Sequence, residues 1–290
     1  MKKLSEAHKE FIEHLKNKKR TSATILAYGK DIEQLVEFLQ ELSKAHVHEV
    51  TADDINGFLA KLQKNGYTPK SISRKLNSTK TFFRFLKIQE YITDDPANLV
   101  DHPKFETKPP RILSPTEYRA LRDAARDDIR IAAIIEVLLQ CGIRIGELAN
   151  LRTDDVFFGN GKEGHLYVRP QENRNERTVP LNKSAEIALK RYIEIRPKTA
   201  NKALFITKTG KPLLVRNIRT AIDRNYRKAG ITGAKVNDLR HTWVSHHLSS
   251  GASLVLISKI AGHKRLSTTE RYLSLIQLPH GEEKVKLEEL

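Results

Sequence analysis

The fold of the second half of this 290-residue chain is decided by the stretch Ile129-Arg-Ile-Ala-Ala-Ile-Ile-Glu-Val-Leu-Leu-Gln-Cys-Gly-Ile-Arg-Ile-Gly-Glu-Leu148. Its apolar first part predicts a buried helix over residues 129–140, and Cys141-Gly142 is a stop signal for that helix. The apolar run is too often interrupted to span a membrane, because polar side chains stand at Arg130, Glu136, Gln140 and Arg144.

Arg144 follows this helix in an apolar setting. An arginine buried there without a partner would be costly, so it needs either a partner or a chemical role. Glu147, three residues later, is the obvious partner. The residues alone leave two interpretations open, a structural Arg–Glu pair and a functional arginine.

The composition indicates a folded protein with a polyanionic partner. Hydrophobic residues make up 39% and charged residues 30% of the chain, which is enough apolar material for a core. Lys and Arg number 51 against 35 Asp and Glu, a net charge of +16. Nucleic acid is the simplest partner for such an excess.

The single cysteine, Cys141, excludes an intrachain disulfide and any zinc site built on two or more cysteines. It fits a reducing compartment. The N-terminus lacks the apolar block of a signal peptide, so we expect a cytoplasmic protein with no membrane partner.

A polar stretch with three prolines, Asp101-His-Pro-Lys-Phe-Glu-Thr-Lys-Pro-Pro-Arg111, divides the chain. We interpret residues 101–113 as a linker between an N-terminal helical domain, 1–100, and a larger domain, 114–290.

The N-terminal domain contains one informative helix, Ser71 to Lys87. Apolar or small residues recur on one side of it, at Ile72, Leu76, Thr79, Phe83 and Leu86. Basic residues follow one flank, at Lys70, Arg74, Lys80, Arg84 and Lys87. This flank is either a surface for DNA phosphates or an ordinary solvated lysine face.

The second domain mixes helices with one small β-element. Ser114-Pro-Thr-Glu117 is a capping box. A short hairpin is predicted from His165–Val168 and Arg177–Leu181. Further helices are predicted at about 182–195, 213–229, 237–249, 253–260 and 267–275. The fold class is therefore mainly α.

Several polar groups near these helices need an explanation. Arg240 and His241 lie in the first turn of the helix opened by Asn237 or Asp238, where the helix dipole favours anions. His263 and Tyr272 are weak signals when taken singly. His246 and His247 are adjacent and face different ways, and no carboxylate is suitably spaced, so with His241 they do not indicate a metal site.

The two arginines, His263 and Tyr272 make sense together if the substrate is a phosphodiester. Two guanidinium groups can bind the non-bridging oxygens, and an imidazole can donate a further hydrogen bond. A tyrosine hydroxyl can act as a covalent nucleophile, and dense positive charge favours its phenolate. No metal or other cofactor is needed.

At these residues the sequence resembles the tyrosine site-specific recombinases, the group of phage integrases and bacterial Xer recombinases. The matching motifs are Gly142-Ile-Arg-Ile-Gly-Glu-Leu148, Asn237-Asp-Leu-Arg-His-Thr242, Ala261-Gly-His263, Leu266 to Tyr272, and the hairpin strand Glu176 to Leu181. The N-terminal part resembles the family's core-binding, SAM-like domain at Ser71-Ile-Ser-Arg-Lys-Leu and Phe82-Phe-Arg-Phe-Leu86.

The resemblance implies that Arg144, Arg240 and His263 are catalytic, that Tyr272 is the nucleophile and that Glu147 supports them. Two positions depart from the family pattern. Asn237 stands where the second arginine motif usually has histidine, so Asn237 is kept as a catalytic candidate. Glu172 stands where the hairpin usually has lysine. A carboxylate would repel phosphate, so Arg174 is the substitute we expect there.

The resemblance also implies a two-domain, C-shaped clamp on duplex DNA that carries a specific recombination site. Four protomers would exchange strands through a 3′-phosphotyrosyl link and a Holliday junction, without ATP. The acidic, leucine-bearing tail, residues 278–290, either packs on the neighbouring protomer or is a frayed terminus. Accessory proteins stay open as further partners.

Two alternatives remain at this point. One is a DNA-binding homologue without strand exchange, and the other is a type IB topoisomerase-like nicking and closing enzyme. Retention of both arginines, His263 and Tyr272 argues against the first.

Overall fold

The computed structural model describes residues 1–106, 108–159, 163–171 and 174–276. The chain divides into two compact units, residues 1–108 and residues 109–290. Within the described residues, none of the helices is both long enough and apolar enough to cross a membrane.

The first unit is helical. Its helices are α1 (Leu4–Asn17), α2 (Ser22–Glu41), α3 (Ala52–Lys64) and α4 (Pro69–Ile88), with short 3₁₀ turns at Val47–Glu49 and Pro96–Leu99. Threonine side chains cap three of these helices by accepting a backbone N–H of the first turn, at Thr21, Thr51 and Thr68.

Helix α4 carries the pattern that the sequence indicated. Its five apolar or small residues, from Ile72 to Leu86, are all buried. The helix begins at Pro69, two residues earlier than expected, because Thr68 caps it and proline is well suited to a first turn. Helix α1, which the sequence reasoning did not predict, buries Leu4, Ala7, Phe11 and Leu15 at helical spacing.

The second unit has a larger set of elements. Its helices are α5 (Pro115–Ala124), α6 (Ile129–Cys141), α7 (Ile145–Asn150), α8 (Lys183–Ile195), α9 (Val215–Lys228), α10 (Val236–Ser249), α11 (Leu254–Ala261) and α12 (Ser267–Glu270). Short 3₁₀ turns lie at Thr153–Asp155 and Leu273–Leu275. Helix α6 packs against α8 and α10 at the centre of this unit.

A small antiparallel sheet completes the unit. Its strands are β1 (Val156–Phe157), β2 (His165–Val168) and β3 (Arg177–Pro180), in the order β1-β2-β3. Leu166 lies opposite Val156 on one side and Val179 on the other. The predicted hairpin is therefore present, with β1 as an added edge strand.

Two predicted helix boundaries were wrong. Helix α10 begins at Val236, and Lys235 rather than Asn237 or Asp238 is its N-cap; the Asp238 carboxylate accepts the Lys235 N–H at 2.7 Å. The single helix expected at 267–275 is broken, because α12 ends at Glu270 and a 3₁₀ turn follows. Tyr272 lies at this break.

The turn after α6 depends on a glycine. Gly142 ends the helix with φ +58°, in the left-handed region. A Cβ built there would lie 2.2 Å from the Trp243 ring. Glycine is therefore required both by the backbone conformation and by the packing of α10 on the end of α6.

We predict that Gly142→Ala destabilises the second unit by about 1–3 kcal/mol more than Gly230→Ala. Both glycines have positive φ, which costs an alanine about 1–2 kcal/mol, but only Gly142 also forces overpacking. Nothing lies within 4 Å of a Cβ at Gly230. Urea unfolding followed by fluorescence of the single tryptophan, Trp243, measures the difference. Equal losses of stability in the two variants would show that the close approach of Trp243 does not add to the cost of Gly142→Ala.

Candidate active site

Arg144 leads into helix α7, directly after the Gly142 turn. Its guanidinium donates to Glu147 Oε1 at 2.9 Å and to the carbonyls of Ala261 and Gly262 at 3.2 and 2.7 Å. Burial lowers the pKa of Arg144 below its ordinary value. These bonds attach α7 to the end of α11, so residues distant in sequence meet at this arginine.

Arg240 lies in helix α10 and is only 7% exposed. Its Nη1 donates to the Gly142 carbonyl, whereas its Nη2 has no hydrogen-bond partner among the described residues. Burial, and then the charge of Arg144, lowers the pKa of Arg240 to about 9. The guanidinium still carries its charge near neutral pH, with one buried donor unused.

Tyr272 is 4% exposed, and its hydroxyl lies 2.5 Å from Nδ1 of His241. Burial raises the pKa of Tyr272 above its ordinary value, and the charges of Arg240 and Arg144 act against this rise. The arginines thus favour the phenolate as expected, but burial outweighs them. The resting side chain is a neutral phenol.

His263 follows Gly262, which ends α11 in the left-handed conformation with φ +67°. Its Nδ1 lies 2.8 Å from the Thr269 hydroxyl, and its ring is nearly parallel to that of Tyr272, with centroids 6.5 Å apart. Burial, followed by the charges of Arg240 and Arg144, lowers the pKa of His263 to about 4. The imidazole is therefore neutral at pH 7.

Glu147 is the buried anion of the site. It accepts the Arg144 backbone N–H at 2.8 Å and both Nη groups of Arg177, at 3.0 and 2.8 Å. Burial alone would raise the pKa of Glu147, but Arg177 and then Arg144 lower it to about 2. The pair considered from the sequence is therefore one part of an Arg144–Glu147–Arg177 cluster.

Sequence reasoning gave no role to Arg177, and it considered His241 only for its place in the first turn of a helix and as a metal ligand. Arg177 Nε also donates to the Ile260 carbonyl at 2.6 Å, and its guanidinium lies against Gly262, so that a Cβ there would meet it at 2.9 Å. Both residues stood inside motifs that had been recognised, Glu176 to Leu181 and Asn237 to Thr242. Those motifs identified the residues without showing their contacts.

The candidates Asn237 and Arg174 are more exposed than Arg144, Arg240, His263 and Tyr272. Asn237 is exposed, and it takes part in none of the hydrogen bonds described above. Arg174 is exposed in the hairpin turn, where it pairs with Gln171, and its charge contributes to the lowered pKa of Arg144. Arg174 and His263 line the same cleft, together with Lys259 and Lys264. Glu172 and the tail 278–290 lie outside the described residues.

The basic flank of α4 is divided by an ion cluster. Lys70, Arg84 and Lys87 are exposed and Lys80 is half-buried. The guanidinium of Arg74 instead binds Asp31, which also accepts from Lys75 at 2.9 Å and from Ser78 at 2.6 Å. Burial would raise the pKa of Asp31, but these partners hold it below its ordinary value.

The described residues include no group of three or more His, Cys, Asp or Glu side chains placed to hold a metal ion.

Comparison with known proteins decides the family. The phage integrase family matches residues 111–277, and the phage integrase N-terminal SAM-like domain matches residues 9–90. The chain belongs to the phage integrase family. The tyrosine recombinase recognised from the sequence and the mainly α fold class are therefore confirmed, and the protein is a DNA strand-transferring enzyme of site-specific recombination.

Two relatives and one solved structure illustrate the match. Tyrosine recombinase XerC of Roseiflexus castenholzii is 30% identical over 285 residues, which cover 94% of this chain and 90% of the relative. Tyrosine recombinase XerD of Staphylococcus saprophyticus is 33% identical over 262 residues, covering 87% and 88%. A lambda integrase tetramer bound to a Holliday junction shares the fold at 18% identity, with a TM-score of 0.76 and coverage of 91% and 78%.

We predict that Glu147→Gln costs the second unit about 3–5 kcal/mol near pH 7, because it leaves Arg144 and Arg177 buried without their counter-charge. The stabilisation by Glu147 is present above the ordinary glutamate pKa and is lost as the pH falls towards about 2. The variant should therefore show a smaller loss of stability in acid than the wild type.

Urea unfolding near pH 7 and in acid measures this effect. The matched control is Asp154→Asn, which removes the carboxylate of an exposed pair with Lys202 at 3.4 Å and should cost less than about 1 kcal/mol. A Glu147→Gln variant as stable as that control would contradict the role given to the cluster.

Proposed function

We propose that this recombinase cuts and rejoins duplex DNA at a specific site through a covalent 3′-phosphotyrosyl link to Tyr272. The proposal rests on one observation. Arg144, Arg240 and His263 come from separate segments of the chain, and all three lie near the phenol of Tyr272. The charges of Arg240 and Arg144 act on that phenol and on His263.

The two arginines are proposed to bind the scissile phosphate. Arg240 holds a buried N–H donor with no partner among the described residues, and a non-bridging phosphate oxygen would supply one. Arg144 is oriented by Glu147 and by two carbonyls, so its position is fixed before substrate arrives. Such preorganised charge stabilises the transition state more than a flexible cation would.

The proposed reaction conserves ester bonds. The Tyr272 oxygen attacks phosphorus, the bond from phosphorus to the 5′ oxygen breaks, and a 5′-hydroxyl leaves. The 5′-hydroxyl of a partner strand then attacks the phosphotyrosine and releases the tyrosine. Because each broken ester is replaced by another, no ATP is needed.

We propose that four protomers act on two DNA sites, by analogy with the lambda integrase tetramer on a Holliday junction. The proposed phosphate contacts of the first unit are Lys70, Lys80, Arg84 and Lys87. Arg74 lies beside them and binds Asp31. In this proposal the tail 278–290 contacts the neighbouring protomer.

We predict that Tyr272→Phe abolishes covalent attachment to a nicked suicide substrate while DNA binding is nearly unchanged, because one oxygen atom is removed. Denaturing gels measure attachment, and gel shifts measure binding. The control is Tyr226→Phe, which alters another deeply buried tyrosine of the same unit and should leave attachment intact. An adduct formed by the Tyr272 variant, or a trapped peptide containing another tyrosine, would refute the assignment.

The same purified protein distinguishes the proposal from its rivals. Recombinant products from a plasmid with two sites support strand exchange. Relaxation of supercoils without recombinants indicates a topoisomerase, and binding without cleavage indicates an inactive homologue.

We predict that Arg174→Ala slows cleavage of ordinary DNA and that a sulfur atom at the bridging 5′ position restores its rate. Arg174 is the proposed donor to the leaving oxygen, and a thiolate leaves without that help. Arg240→Ala should lose about 10²–10³ in cleavage rate and should not be rescued by sulfur, because its partner is a non-bridging oxygen. Single-turnover cleavage measures both. Normal cleavage by Arg174→Ala, or equal rescue of both variants, would exclude Arg174.

A further inference from the structure

The contact between Tyr272 and His241 is not explained by the roles assigned so far. The two side chains are 31 positions apart in sequence, yet the phenol oxygen lies 2.5 Å from Nδ1 of His241. His241 lies on α10, one helical turn after Asn237. Asn237 occupies the position where the family pattern has histidine. The helix thus keeps an imidazole near the site although its usual position holds an amide.

The surroundings of His241 make its imidazole a proton acceptor. Burial lowers the pKa of His241; Asp238 acts against this change and Arg240 acts with it. The other titratable groups coupled to this position are Tyr272 and His263. The ring is therefore neutral at pH 7, and in the tautomer with hydrogen on Nε2 its Nδ1 accepts the Tyr272 O–H.

His263 is the competing imidazole, and its geometry is less suitable. Its Nδ1 is already engaged by the Thr269 hydroxyl, and its ring is stacked parallel to that of Tyr272. Among the described residues, the only side chain hydrogen-bonded to the Tyr272 hydroxyl is His241.

We propose that His241 is a catalytic residue that takes the Tyr272 proton during strand cleavage and returns it during religation. This inference rests on the proposed role of Tyr272 as nucleophile. As the tyrosine oxygen bonds to phosphorus, its O–H bond breaks and the proton passes to His241 Nδ1. The bond from phosphorus to the 5′ oxygen breaks, and its electron pair leaves on the 5′ oxygen, which takes a proton from water or from the hairpin.

The test is the pH dependence of single-turnover attachment to a suicide substrate with sulfur at the bridging 5′ position. The sulfur removes leaving-group protonation, so the rate reports the loss of the tyrosine proton. Wild-type attachment should be level above the His241 pKa and should fall below it. His241→Asn should be about 10²-fold slower or more near pH 7.

The variant should also change the shape of the profile. Without His241 the phenol must ionise into solvent, so the deficit should shrink about tenfold for each pH unit as the pH rises towards the tyrosine pKa. A residue with a merely structural role would give a constant deficit. A constant deficit, or none, would overturn the proposal.

Two further variants complete the experiment. His247→Asn changes another partly buried histidine of α10, which packs on Trp243 and His246, and should keep the wild-type rate and profile. His241→Gln retains a hydrogen-bonding side chain but takes up no proton. It should show the same sloping deficit as His241→Asn; a wild-type rate would mean that the hydrogen bond alone suffices and would refute proton transfer.

DNA binding by every variant verifies folding. If the wild type formed no adduct, or Tyr272→Phe formed one, the proposed function would fail rather than this inference.

Discussion

The site depends on one buried carboxylate, that of Glu147. It is 2% exposed, and it accepts hydrogen bonds from two arginines that come from different parts of the second unit. Arg144 and Arg177 in turn donate to carbonyls at the end of α11, just before His263. A single negative charge therefore fixes α7, the hairpin and the His263 turn together. Such a cluster is stable only when all members are present, since each buried charge depends on its partners.

The Glu147 carboxylate positions the arginines of the site without neutralising all of their positive charge. Arg144 and Arg177 bind the one carboxylate, whereas Arg240 binds the Gly142 carbonyl and keeps one N–H donor without a partner among the described residues. Burial, and then the charges of neighbouring arginines, lowers the pKa values of Arg240 and His263, whereas burial raises that of Tyr272. In the proposed reaction a phosphodiester supplies negative charge to these arginines, and Tyr272 is a neutral phenol before the substrate binds. The proposed attack by a neutral phenol needs a proton acceptor, and His241 Nδ1 is in contact with the hydroxyl.

The first unit uses the same principle on a smaller scale. Asp31 binds the buried Lys75 and the exposed Arg74 on one side of α4, while Lys70, Arg84 and Lys87 are exposed and are not bound by Asp31. A buried anion thus anchors part of a basic helix face and leaves the rest available for an external partner. The net charge of the chain does not show which cations are bound by Asp31 and which are available to a partner. That distinction depends on which side chains contact the aspartate in the folded unit.

The sequence by itself determined the family, the mainly α fold and most helices, because ordered motifs and helical periodicity are local properties of the chain. It also singled out Arg144, Arg240, His263 and Tyr272 as residues whose chemistry fits one substrate. Only the tertiary structure decided that Glu147 binds Arg177, that Asp31 engages Arg74, that Tyr272 sits at a helix break and that its hydroxyl meets His241. These contacts join residues tens of positions apart, and they are set by how α7, α10, α11 and the hairpin pack. Sequence spacing does not encode that packing.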